Sequence, residues 1–157
     1  MTIEDQVFLE ITIWKENRGG GIPGMQSVAN VIINRANKRG TSIFDECVSR
    51  LQFSSMTSPG DPGLVIWPSK LASKNIGATD LAAWIQAKQL ALNAANGVLV
   101  DITGGADDYY APAAMAIDET VPYTLPDGTK TVFPKDWNQS AVRFTVEIAD
   151  QLFFVSV

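Results

Sequence analysis

Glu16 is the side chain in this sequence best placed for acid chemistry. It follows Leu9, Thr12 and Ile13 on one face of a predicted helix and comes just before the glycine run Gly19, Gly20, Gly21. An apolar surrounding disfavours the charged carboxylate and raises its pKa towards the value a general acid needs near neutral pH. Such a group could protonate a leaving-group oxygen; the plainer alternative is an ordinary solvated glutamate near a helix end. A glycosidase often pairs two carboxylates, and Glu46, Asp61, Asp101, Asp107, Asp108 and Glu119 are all conceivable partners for Glu16. One acid suffices where a substrate hydroxyl closes on its own anomeric carbon.

Two further clusters could hold a sugar. Gln52, Phe53 and Ser54 offer an amide, an aromatic surface and a hydroxyl in succession, suited to an N-acetyl group and a ring; the alternative is a turn with Phe53 in the core. Tyr109 and Tyr110 could supply a hydroxyl and a stacking face, or form a structural pair. The chain has no histidine, which removes the usual base of serine and cysteine hydrolases and the commonest ligand of catalytic zinc. The glycine run lacks the Lys and Ser or Thr of a phosphate-binding loop. Asp101, Asp107 and Asp108 lack calcium-loop spacing, so neither a metal nor another cofactor is expected. Cys47, the single cysteine, reads as a small core residue.

The elements that must position these groups follow from periodicity. Ile3, Val7, Phe8, Ile11 and Trp14 recur every three or four residues and predict a helix over Ile3 to Asn17. A second helix is expected over about Met25 to Lys38, ended by Gly40, and a short third over Ile43 to Arg50. Residues 54–70, rich in Pro and Gly, predict an irregular excursion carrying Trp67. Helical spacing resumes over Asp80 to Ala95, with Thr79 or Asp80 as cap, before a short strand at Val98 to Val100. Pro126, Asp127 and Gly128 predict a hairpin within Tyr123 to Phe133. Val142 to Ile148 and Leu152 to Val157 predict another, separated by Ala149, Asp150 and Gln151. The expected class is α+β, helical at the front with small hairpins at the back, in one domain over residues 1–157.

The balance of 12 basic and 17 acidic residues argues against a nucleic-acid partner held by phosphate contacts. No stretch is long and apolar enough for stable membrane insertion, and the first residues, MTIEDQVF, do not read as a secretory signal.

The motifs WKENRGG (Trp14 to Gly20), GMQSVANVIINR (Gly24 to Arg35), LQFSS (Leu51 to Ser55), GADDYYAP (Gly105 to Pro112) and IADQLFF (Ile148 to Phe154) occur in an order that resembles the SleB-type cell wall hydrolase family. Members of that family cleave peptidoglycan glycan strands. The resemblance implies a small lysozyme-like fold, Glu16 as catalytic acid, and Gln52, Phe53, Ser54, Tyr109 and Tyr110 lining or shaping a substrate groove. It implies cleavage between N-acetylmuramic acid and N-acetylglucosamine, with either an anhydro or a hydrolytic product. A monomeric phage endolysin is expected, held in the host cytoplasm and reaching the periplasm or cell wall after holin-dependent release. The chain departs from the family pattern at Gly20, where a second acid is usual, and at Asp107 or Asp108, where a histidine is common. Those departures keep two alternatives in view: a catalytically inert glycan-binding or virion structural protein, and a protein-binding adaptor or inhibitor.

Overall fold

Thr2 opens the first helix, α1 (Ile3–Asn17): its hydroxyl accepts from the Asp5 amide at 3.0 Å, and the Asp5 carboxylate accepts from the Thr2 amide at 2.8 Å. This reciprocal cap satisfies two donors that the first turn would otherwise leave bare. The computed structural model describes residues 1–49, 53 and 77–157. After α1 come a single 3-10 turn (Arg18–Gly20), α2 (Gly21–Arg39), α3 (Ile43–Val48) and α4 (Ala78–Ala95).

Differences from the sequence expectation have local causes. α2 begins at Gly21, four residues before Met25, because Pro23 falls within the first turn, where a missing N–H costs nothing. Its end at Gly40, with φ of 68°, is as expected. α3 stops at Val48, short of Arg50, because Ser49 turns extended. α4 starts two residues before Asp80 with Gly77 as its cap, so neither Thr79 nor Asp80 caps it; the Asp80 carboxylate accepts from Arg18 Nε at 3.1 Å instead. Val98 to Val100 form no strand: the Val100 carbonyl accepts from the Gln26 side chain at 2.9 Å.

The later half supplies two antiparallel sheets. β1 (Asp108–Tyr110), β5 (Gln151–Ser156) and β4 (Val142–Ile148) form one, in the order β1-β5-β4, and β2 (Thr120–Thr124) pairs with β3 (Lys130–Pro134) in the other. The first hairpin turns through Gly128, whose φ is 90°. The second turns through two residues, not three, since Gln151 already pairs with Ile148.

Apolar packing falls into two cores and a seam. Leu9, Ile13, Met25, Val28, Ile32, Cys47, Phe53, Trp84 and Ala87 fill the helical core, with burial pushing the Cys47 thiol up to about 12. Tyr110, Leu125, Phe133, Leu152 and Phe154 form an aromatic core within the β region. Val31 of α2, Ala106 and Phe153 of β5 form the seam, joined by Tyr109, Val146 and Ile148. The architecture is a mixed α+β one, and among the described residues no helix is long and apolar enough to cross a membrane.

Candidate active site

α1 delivers Glu16 half-buried at its last turn, on the face below which Leu9 and Ile13 are fully buried. An open cleft of about 700 Å³ lies there, walled on the helical side by Lys15, Glu16, Asn17, Arg18, Gly19 and Gly20, and on the β side by Ala149 and Asp150 of the β4–β5 turn. The acid thus sits where the two halves of the molecule meet.

Asn17 joins the two walls. Its Nδ2 donates to Gln151 Oε1 at 2.7 Å, and its Oδ1 accepts from the Gly20 amide at 3.1 Å. Room for this folded-back side chain comes from two glycines: a Cβ on Gly20 would lie 2.5 Å from Asn17 Oδ1, and one on Gly24 would lie 2.7 Å from Asn17 Nδ2. Gly20 also lets the hairpin approach, since the same Cβ would be 2.9 Å from that of Ala149. A larger residue at position 20 therefore requires the wall to rearrange. On the outer side, Arg18 lies 4.7 Å over the Trp14 ring while bonding Asp80, which ties the 3-10 turn to the start of α4.

Tyr109 reaches the acid from the seam. Its hydroxyl points at Glu16 Oε2 across 3.5 Å, and its ring stacks on Phe153 at 5.5 Å. Burial, followed by the nearby Glu16 charge, pushes the phenol well above its ordinary pKa, so it remains a neutral donor. Tyr110 points the other way, as alternation along a strand requires. Its ring packs among Phe133, Trp137 and Phe154, and its hydroxyl donates to the Val132 carbonyl at 2.7 Å. Tyr110 is therefore part of the β core and does not line the Glu16 cleft. Phe53 is likewise fully buried in the helical core, beneath the Arg35 guanidinium at 5.7 Å, which is its core reading and not that of an exposed sugar platform. Gln52, Ser54 and Trp67 lie outside the described residues.

Compared with family models, curated proteins and solved structures, the chain matches none significantly.

Among the conceivable carboxylate partners, the described ones are engaged elsewhere or stand apart from the cleft. Glu46 is buried, accepting from Arg39 at 2.9 Å and Thr41 at 2.7 Å. Asp101 organises its loop by accepting from Thr103, Gly105 and Asn34; burial opposes its charge, but these bonds prevail and hold the carboxyl below its usual range. Asp107 and Asp108 belong to the α2 seam: Lys38 bonds Asp107 at 2.8 Å and Arg35 bonds Asp108 at 3.0 Å. Glu119 is exposed ahead of β2 and is not among the residues lining the cleft, and Asp61 lies outside the described residues. Among the described residues no group of three or more metal-ligating side chains converges.

The carboxylate that sequence reasoning missed is Asp150. It was legible only as a turn residue, because what brings it to the cleft is the long-range contact between a hairpin tip and the end of α1.

Proposed function

We propose that this protein cleaves peptidoglycan glycan strands, with Glu16 as the general acid at the bond between N-acetylmuramic acid and N-acetylglucosamine. The observation that carries the reading is the placement of Glu16: half-buried, beside the neutral Tyr109 donor, in an open cleft between a helical wall and a β wall. A helical layer with a small sheet and an acid at the end of a helix also fits a lysozyme-like fold, in keeping with the motif order that resembles SleB-type hydrolases.

In this mechanism the protonated Glu16 gives its proton to the glycosidic oxygen as the bond to the anomeric carbon breaks. Positive charge develops on the sugar ring, and a hydroxyl oxygen then bonds to the anomeric carbon. If that hydroxyl belongs to C6 of the muramic sugar, the product carries a 1,6-anhydro ring; if it belongs to water, the product is a reducing end. Tyr109 helps to position the Glu16 carboxyl through its hydroxyl, which points at Oε2. The openness of the cleft suits a polymer better than a small free ligand. The cellular setting that goes with this activity is that of a phage endolysin, acting on the wall after release through a holin lesion.

The experiment is mass spectrometry of fragments released from purified peptidoglycan by the native protein and by Glu16→Gln. Anhydro-muramic termini that disappear in the variant identify a lytic transglycosylase, and reducing muramic termini a muramidase. Glycan binding by folded native protein with no fragments released would overturn catalysis and leave the inert glycan-binding reading. That second reading draws on one specific feature: a Cβ at Gly20 would press on Asn17 and Ala149, so the additional acid usual in the family that the motif order resembles would require the wall to rearrange.

A further inference from the structure

Asp150 shares the Glu16 cleft from the opposite wall, and it also lines a second groove, of about 340 Å³, that runs by Pro112, Leu125, Lys130 and Glu147 across the β region. Among the described residues it is the one that lines both. A polymer leaving the Glu16 cleft towards the sheets would pass over it.

The turn that carries Asp150 is held in place and is unusual. Ala149 and Asp150 have φ of 50° and 60°, and among the described residues they are the only non-glycine residues in the left-handed region. A two-residue hairpin of this geometry is ordinarily made by Asn-Gly or Asp-Gly, so the sequence Ala-Asp is a costly solution if the turn serves only to reverse the chain. The residues on either side of Asp150 are fixed to the helical wall: Gln151 through Asn17, and Ala149 by its close approach to Gly20. Among the described residues the Asp150 carboxylate takes part in no hydrogen bond or ion pair, so a bound group can use both of its oxygens.

We propose that Asp150 is the second carboxylate of this cleft and the proton acceptor of the reaction. The assignment rests on the glycan-cleaving reading given above. Glu16 donates its proton to the departing glycosidic oxygen from the helical wall while the bond from that oxygen to the anomeric carbon breaks. From the hairpin wall, Asp150 accepts the proton of the attacking hydroxyl as its oxygen bonds to the anomeric carbon. Asp150 then releases its proton to solvent and Glu16 takes one up, which returns both groups to their starting states.

The test compares native protein, Asp150→Asn and Asp150→Gly on purified peptidoglycan, with Tm recorded for each. Asn and Gly both adopt the left-handed conformation at least as readily as Asp, so the hairpin should survive both changes. The expected result for Asp150→Asn is a fall in kcat of about 100-fold, with KM within about twofold, Tm unchanged or higher, and the acidic limb of the kcat against pH profile removed. Sodium formate, a small external base, should restore part of the turnover of Asp150→Gly and none of that of Glu16→Gln. Activity of Asp150→Asn within threefold of native with the acidic limb intact would remove Asp150 from the reaction while leaving Glu16 in place, as would an Asp150→Gly defect that formate does not relieve. If native protein releases nothing, the glycan-cleaving reading falls and the Asp150 assignment falls with it.

Discussion

Tyr109 and Tyr110 are consecutive residues of one short strand, yet they belong to different regions of the molecule. Tyr109 faces the seam with the helices, where its ring stacks on Phe153 and its hydroxyl meets Glu16. Tyr110 faces the aromatic β core, where its hydroxyl closes on the Val132 carbonyl. The same side chain therefore meets the candidate acid on one face of β1 and closes the aromatic core on the other, and the difference is made by what the fold places opposite. The two cores follow the same division. The helical core is mainly aliphatic, with Phe53 and a Trp14–Trp84 pair, and presents Glu16; the β core is mainly aromatic and presents the hairpin wall.

The most damaging way to break this arrangement is to separate the two regions. Arg35 is buried, donates to the Asp107 carbonyl through Nε and bonds Asp108, and so fastens α2 to β1. Arg35→Ala should cost about 3–5 kcal/mol, because Asp108 and the carbonyl lose a buried charged partner. Chemical denaturation should show that loss; a change below 1 kcal/mol would mean that the seam holds by apolar contacts alone.

The tyrosine pair gives a sharper comparison at smaller cost. Tyr110→Phe should lower stability by about 1–2 kcal/mol, since the Val132 carbonyl loses its partner, and leave turnover on peptidoglycan near native. Tyr109→Phe should do the reverse, keeping Tm within a few degrees while turnover falls about tenfold through a less constrained Glu16. Equal effects of the two changes on activity would erase the distinction between the two faces of β1.

The smallest expected effect is on acid stability. Burial alone would raise the Asp107 carboxyl, but the Lys38 ammonium and the Ser156 amide and hydroxyl overcome it and hold the group below its ordinary value. A depressed folded pKa adds stability above the unfolded value, near 3.9, and loses it as pH falls through the folded value. Tm should be level above about pH 5 and decline below about pH 4, and Lys38→Met should make part of that decline shallower.

Much of this was legible in the chain because it is local. The spacing of Val7, Ile11 and Trp14 determines α1 to the residue, and Pro126-Asp127-Gly128 marks the first hairpin. The start of α2 at Gly21, ahead of its apolar spacing, was not legible because a helix's first turn tolerates Pro23 where its interior would not. Val98 to Val100 carry strand-forming side chains, but a strand needs a neighbour, and α2 lies there instead. The site was half legible. Glu16 could be singled out from its helix, but opposite orientations for Tyr109 and Tyr110, the burial of Phe53 and the arrival of Asp150 at the cleft all depend on contacts between distant parts of the chain.

Fragment release from purified peptidoglycan by Glu16→Gln, measured alongside its Tm and its binding to the same glycan, tests most directly whether Glu16 is the general acid. The expected result is a folded variant that binds as native protein does and releases fragments at least about 100-fold more slowly. A folded Glu16→Gln that releases fragments at the native rate would contradict it.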